Sequence, residues 1–306
     1  MQRIVLSMIT YNSIRRRGRR LLERVLESSL QVPYDAMIVV DDGYDGTGDF
    51  IRAWAGEHGK EVFVTRSRAG RGVVTRATAR QTAIDLFLEE YTGEWLMFLD
   101  DDAVLLEGWW SEAKRYVSED RVGIIWGVNR DLLEPERNLE KKIKGFKVRG
   151  GLHDTLLRRE ALMEIPPIPE TLHAYEDAWI YWNMTCRGWE YRIVETGCLH
   201  YGGDNPFLHG DPRAVYEAYR LLGLVEDYRE DAVRDYQGVV KPFINVVRPL
   251  LGLLVRMPAA LRRGTARRLV KMQFNKARAR WHQAIARLKY GPPRNPCELL
   301  IRDATI

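Results

Sequence analysis

From the N-terminus to about Val128, short apolar runs alternate with stretches in which apolar residues recur every three or four positions. The runs Ile4–Ile9, Ala36–Val40, Glu61–Thr65, Trp95–Leu99 and Val122–Val128 predict strands, and the stretches Arg19–Leu30, Gly48–Ala55, Thr75–Tyr91 and Glu107–Val117 predict helices. Such alternation predicts βαβ units whose helical crossovers cover a parallel sheet. Ligands bind such sheets beyond the carboxyl ends of the strands, so the residues that follow each run matter most.

Beyond Asn129 the pattern loosens. Pro166, Pro167 and Pro169 predict a turn, Glu176–Cys186 a helix and Tyr191–Val194 a strand. We read residues 1–205 as one domain, with a first half over 1–128 and a second over 129–205. Residues 206–306 form a helical region in which Pro242, Pro249 and Pro258 cut an apolar stretch into pieces, ahead of a long helical pattern over Arg267–Tyr290.

Charge sets that region apart. Of the chain's 47 basic residues, 14 lie between Val239 and Cys297, a segment with no Asp or Glu, which leaves 33 basic against 42 acidic residues elsewhere. Val270, Phe274, Ala277, Trp281, Ile285 and Leu288 recur at helical intervals among Lys271, Lys276, Arg278, Arg280, Arg287 and Lys289, a basic amphipathic pattern suited to the interface of an anionic membrane. Lys241, Arg248, Arg256 and the three prolines argue against a spanning helix over Val239–Leu261. Peripheral attachment through 239–297 is the expectation, with docking on the catalytic domain or a dimer interface as alternatives, and no nucleic-acid motif accompanies the charge. Three cysteines are too few and too scattered for a disulfide framework or a zinc cluster. The N-terminal run reads as a strand and not as a signal peptide, so the expected location is cytoplasmic, on the membrane face if the basic segment attaches.

The chemistry concentrates after the strands. Asp100-Asp101-Asp102 closes the fourth apolar run, and clustered carboxylates require a compensating cation; all-oxygen ligation suits Mg²⁺ or Mn²⁺. The same triplet also suits a solvated turn in which Asp102 caps a following helix. Asp41-Asp42-Gly43 follows the second run, where a carboxylate can accept hydrogen bonds from a ribose or a base, although taken alone it reads first as a simple Asp/Gly turn.

Together these pieces resemble the family 2 (GT-A) glycosyltransferases over roughly the first two hundred residues. Thr10-Tyr11-Asn12, Val40-Asp41-Asp42-Gly43, Ala79-Arg80-Gln81, Asp100 and Asp102, Glu176-Asp177 ahead of Arg187-Gly188, and His200 occur in the family's order. The resemblance implies a GT-A catalytic domain over 1–205, a Rossmann-like mixed sheet flanked by helices with a nucleotide-binding half over 1–128 and an acceptor half over 129–205, and the basic helical region appended. It further implies that Thr10, Tyr11, Asp42 and either Arg80 or Arg76 hold the base and ribose, and that Asp100 and Asp101 contact ribose or donor sugar. Asp102 would be the firmest ligand of a Mn²⁺ or Mg²⁺ ion, joined by Asp100 and by His200, for which His153 and His209 compete. Asp177 would be the general base and Glu176 would stand on the acceptor side, unless Glu176 only opens its helix. Trp126, Tyr175, Trp179 and Trp182 could stack on sugars or fill the core, with Trp179 the acceptor-side choice. The basic loop Arg66–Arg76, with Gly70 and Gly72, could cover a diphosphate. Gln81 stands where Asn is usual, Tyr44 where Ser is usual, and no Gly-Gly-Phe precedes Glu176.

The expected activity is inverting transfer of a sugar from a nucleotide-diphosphate sugar to a hydroxyl of a glycan or lipid-linked acceptor. A sugar-nucleotide nucleotidyltransferase is the first alternative, but Thr10-Tyr11-Asn12-Ser13 stands where its Gly-rich basic loop would follow the first strand. A non-catalytic polyanion-binding scaffold is the second.

Overall fold

The computed structural model describes residues 3–70, 74–130, 151–172, 174–201, 212–223, 246–247, 250–254, 257–258, 261–262, 266–291 and 294–302. They fall in two compact units, 1–170 with 176–202 and 171–175 with 203–306.

The first unit is built on an eight-stranded sheet. Strands β1 (Ile4–Thr10), β2 (Tyr34–Asp41), β3 (Glu61–Thr65) and β4 (Trp95–Leu99) alternate with helices α1 (Ser13–Arg17), α2 (Arg19–Ser29), α3 (Thr47–Glu57) and α4 (Arg76–Glu90). After them come β5 (Ala103–Leu105), α5 (Trp109–Ala113), β6 (Val122–Arg130), β7 (Asp154–Arg158), α6 (Arg159–Met163), α7 (Glu176–Cys186) and β8 (Glu190–His200). The strand order is β3-β2-β1-β4-β7-β6-β8-β5. Strands β1 to β4 pair in parallel, β7 runs antiparallel to both β4 and β6, and β5 is antiparallel to β8, so the sheet is mixed.

Helices over both faces explain the apolar runs: β4 is buried throughout and β1 at all but one position. Helix α2 inserts Leu22, Val25, Leu26 and Ser29, one face at helical spacing, and each aliphatic side chain so buried contributes about 1.5–3 kcal/mol. Helix α4 opens on a reciprocal cap between Thr75 and Thr78 and is buried over most of its surface. Inside the core the Tyr34 hydroxyl bonds Ser29 at 2.7 Å, and burial pushes its phenol up to about 12.

Two expectations need correction. The helix predicted over Glu107–Val117 is regular only over Trp109–Ala113, because Gly108 at φ 90° starts it late. Strand β5 follows Asp102 directly, so Asp102 caps no helix. Strand β7 and helix α6 lie in the region whose sequence pattern is loose.

Register places the site. Leu99 pairs with Asp154 across β4 and β7, and Asp100 N–H donates to the His153 carbonyl at 2.9 Å. Ala103 pairs with His200 across β5 and β8, and Tyr201 N–H donates to the Asp102 carbonyl at 2.8 Å. Strand β8 approaches β6 so closely at Gly197, φ 64°, that a Cβ there would lie 1.9 Å from the Val128 carbonyl oxygen.

In the second unit, α8 (Pro212–Leu222), α9 (Ala266–Tyr290) and α10 (Pro296–Arg302) are described. The Tyr216 hydroxyl meets His282 Nδ1 at 3.3 Å, the Tyr219 hydroxyl donates to the Gly291 carbonyl, and Gln273, Ala277 and Ala284 are buried. No helix among the described residues is long and apolar enough to cross a membrane. Pro206, His209, Lys241, Pro242, Arg248, Pro249 and Arg256, and residues 71–73 of the basic loop, lie outside the described residues.

Candidate active site

Thr10, Asp41 and Asp42 stand at the carboxyl ends of β1 and β2. Asp41 is absorbed by the fold, accepting from Thr10 Oγ1 at 2.8 Å, Gly43 N at 3.0 Å and Gly48 N at 2.9 Å. Asp42 accepts from Ser67 N at 2.9 Å and from the Ser67 hydroxyl. Arg66 of the basic loop donates to the Gly43 carbonyl at 3.1 Å. Tyr11 and Tyr44 are exposed and meet edge to face, their ring centres 6.3 Å apart, beside the turn where Asn12 adopts φ 53°.

The acidic cluster lies beyond β4. Asp100 accepts from Arg80 Nη2 at 2.9 Å, and its Oδ2 lies 3.8 Å from His200 Nε2. Burial alone would raise its pKa, but the charges of Arg80, His200 and Arg76 outweigh burial and hold it at about 2. Asp101 is pushed up to about 6 by burial and by Asp102, against the opposing pull of Arg17. Asp102, 2% exposed, meets His200 Nε2 at 3.0 Å and pairs with Arg17 through Oδ2. Burial opposes a charge on His200, yet the hydrogen bond and charge of Asp102 and the charge of Asp100 raise its pKa. Asn129, at the end of β6, meets His200 Nδ1 at 3.3 Å.

A second carboxylate pair faces this cluster through Arg80. Glu176 Oε1 lies 3.5 Å from Arg80 Nε, and burial together with the Asp177 charge pushes Glu176 up to about 7. Asp177 is half-buried and accepts from the Ala178 N–H at 2.7 Å in the first turn of α7. Arg80 is 3% exposed, packs over Phe98 and ties Asp100 to Glu176, whereas Arg76 is exposed. Burial lowers the Arg76 pKa, but the charges of Glu176, Asp100, Asp102 and Asp177 raise it overall. Trp179 is buried, its indole N–H donating to the Pro166 carbonyl at 3.2 Å. Gln81 bridges Asp85 and the Ile168 N–H, a structural use of that position.

Asp100, Asp102 and His200 each offer a ligand atom within 4.8 Å of the others. Asp102 Oδ2 is buried without an aligned hydrogen bond, and two carboxylates with one imidazole suit a divalent cation such as Mn²⁺, so the residues fit the expected metal. His153 belongs to another group: it ion-pairs with Asp154 and meets the Cys198 thiol at 3.5 Å, while Trp109 donates to Asp154 Oδ2 at 3.0 Å. Arg17, Ser13 and Asn129 join the site without belonging to any motif of the sequence. Arg17 looks like one of a solvated Arg run, and the signal for Asn129 was its place at the carboxyl end of a predicted strand.

A parallel nucleotide-type half joined to a mixed half, with acidic and imidazole side chains gathered where they meet, defines a GT-A glycosyltransferase. The glycosyl transferase family 2 profile matches residues 6–181, more than half of the chain, and the chain belongs to that family. Among solved structures it is similar to the mannosyltransferase PcManGT from Pyrobaculum calidifontis, in complex with GDP-Man and Mn²⁺, at TM-score 0.56 and 17% identity over 91% of this chain and 86% of that one. It is also similar to GalNAc-T7 with UDP, GalNAc and Mn²⁺, at TM-score 0.52 and 15% identity over 73% of this chain and 49% of that one. S. aureus TarS matches at TM-score 0.51 and 17% identity over 76% of this chain, which spans 41% of TarS. No curated protein sequence matches.

Proposed function

We propose that the protein is an inverting, metal-dependent glycosyltransferase that moves a sugar from a nucleotide-diphosphate sugar to an acceptor hydroxyl. The observation that carries this reading is the convergence of Asp100, Asp102 and His200 at the strand ends, with Asp102 Oδ2 buried and lacking an aligned hydrogen bond. A divalent cation held there would neutralise the charge that grows on the departing nucleoside diphosphate. Thr10, Tyr11 and Asp42 bind the base and ribose from the ends of β1 and β2, with Tyr11 supplying an exposed ring. Arg80 holds Asp100 ionised and in place, and Arg76, exposed beside the same carboxylates, is the cation available to the donor. Asp177 takes the proton of the acceptor hydroxyl as that oxygen attacks opposite the leaving group, which inverts the anomeric centre. Glu176, buried and paired with Arg80, positions α7 beside it.

The test is a thermal-shift panel of UDP-, GDP- and dTDP-sugars with and without Mn²⁺, because a ligand that binds only the folded state raises its stability. Stabilisation by one nucleotide class that requires the metal is expected; no stabilisation by any of them would overturn the reading. Asp177→Ala should keep that stabilisation and lose transfer by about a hundredfold or more.

The basic helices support a membrane-proximal acceptor. On α9, Phe274, Trp281 and Leu288 are exposed at seven-residue intervals along one stripe, with Arg267, Arg278 and Lys289 also exposed. Aromatic and aliphatic side chains among guanidinium groups suit the interface of an anionic bilayer, and a lipid-linked acceptor would lie there. Flotation with vesicles of phosphatidylglycerol and phosphatidylcholine should recover the full chain, and Phe274→Ala/Trp281→Ala should lower the recovery. Equal recovery on vesicles of phosphatidylcholine alone would remove the electrostatic part of this reading.

A further inference from the structure

The acidic cluster already carries a cation of the protein's own. Arg17 pairs through Nη1 with Asp102 Oδ2, and its Nε lies 3.5 Å from Asp101 Oδ1. Of the run Arg15-Arg16-Arg17, Arg17 alone is drawn in, its side chain 22% exposed, while Arg15 and Arg16 are exposed. The pairing is electrostatic more than hydrogen-bonded, because Arg17 Nε and Asp102 Oδ2 are both buried without an aligned partner. An ion pair without an aligned hydrogen bond, in a site read as metal-binding and diphosphate-binding, is one that each partner can exchange for a better one.

The backbone provides for that exchange. Arg17 ends α1, a helix of five residues, and the residues flanking it, Asn12 at φ 53° and Gly18 at φ 91°, have positive φ. The other end of α1 rests on the same cluster, where the Ser13 hydroxyl donates to Asp101 Oδ2. Helix α1 thus lies across Asp101 and Asp102, held at both ends and jointed at both flanks.

We propose that Arg17 is a displaceable internal counter-ion: it neutralises Asp101 and Asp102 in the ligand-free protein, gives up Asp102 to the divalent cation, and then binds the donor's diphosphate. This rests on the metal reading of Asp100, Asp102 and His200. A planar guanidinium with unused N–H donors is suited to phosphate oxygens, so the side chain that competes with the metal cooperates with the anion. It therefore has effects of opposite sign on the two ligands, which a merely structural ion pair would not.

The experiment uses the full chain, with Mn²⁺ alone titrated by electron paramagnetic resonance and inorganic pyrophosphate then titrated by calorimetry at saturating Mn²⁺. Arg17→Gln should bind Mn²⁺ about tenfold more tightly, since a competing positive charge is gone, and pyrophosphate about tenfold more weakly. Arg17→Lys should return both towards wild type. Ser13→Ala removes the other contact of α1 without changing charge and should leave Mn²⁺ binding unaltered. Wild type that binds Mn²⁺ with no change in Arg17→Gln, or with the same tightening in Ser13→Ala, would overturn the role of Arg17 and leave the metal site standing. Absence of Mn²⁺ binding in wild type and Arg17→Gln alike would overturn the metal reading and this proposal together. Binding that emerges only in Arg17→Gln would establish the competition in its strongest form.

Discussion

Two groups of three ligand-type side chains stand side by side in the sheet: Asp100, Asp102 and His200, and His153, Asp154 and Cys198, with the two imidazoles 5.2 Å apart. Each brings its ligand atoms within 4.8 Å of one another, so spacing does not separate them. Their surroundings do. In the first, the side chains of Asp100 and His200 keep 18% and 19% exposure. The second is buried throughout, Asp154 already accepts from the Trp109 indole and pairs with His153, and burial followed by the Asp154 charge pushes the Cys198 thiol well above its ordinary range. With all three side chains enclosed and its carboxylate engaged by Trp109 and His153, the second group reads as structural. Access, more than proximity, distinguishes a ligand site from a polar core.

The contrast can be broken at several points. Asp102→Ala should abolish the metal-dependent stabilisation by nucleotide sugar and lower transfer by roughly a thousandfold, the scale for losing a main electrostatic support; retained transfer would place the site elsewhere. Asp154→Ala strands the Trp109 N–H and the His153 ring, and should lower folding stability by about 1–3 kcal/mol in urea denaturation while Mn²⁺ binding persists. Loss of Mn²⁺ binding with unchanged stability would mean that the two groups had been assigned the wrong way round.

A smaller effect concerns pH. Glu176 has a folded pKa of about 7, above its unfolded value, so the fold takes up a proton there and the associated stability is lost as pH rises through 7. Between pH 6 and pH 8 the wild type should lose about 1 kcal/mol from this source, and Glu176→Gln should flatten that slope. Equal slopes in the two proteins would show that Glu176 is ionised throughout. Least of all, the Cys198 thiol should resist alkylation by iodoacetamide at pH 8 in the native protein and react in urea, and fast native labelling would open the second group to solvent.

The inner strands were legible because their apolar runs are uninterrupted: β4 matches the expected limits, β1, β2 and β6 extend beyond them by a few residues, and the more exposed edge strand β3 also matches. Strand β5 has too few residues to carry a pattern, β7 has only Leu156 and Leu157 as apolar residues between polar ones, and the pairing of both is fixed by partners distant in the chain. At the site, Asp100, Asp102 and His200 were legible as residue types after strands, and the structure brings them together. Arg17 was not, since its contact requires α1 to fold back between two positive-φ residues, which an Arg run does not announce. Trp179 was expected on the acceptor side, yet its indole is spent on the Pro166 carbonyl. Large aromatic side chains bury well, and residue type alone does not say which way they face.

The pairing of Ala103 with His200 also bears on biosynthesis. The aspartates emerge from the ribosome with the first half of the sheet, but the imidazole arrives only with its last strand. A nascent chain carrying β1 to β4 therefore offers incomplete coordination, and the proposed metal site can close only once β8 has docked.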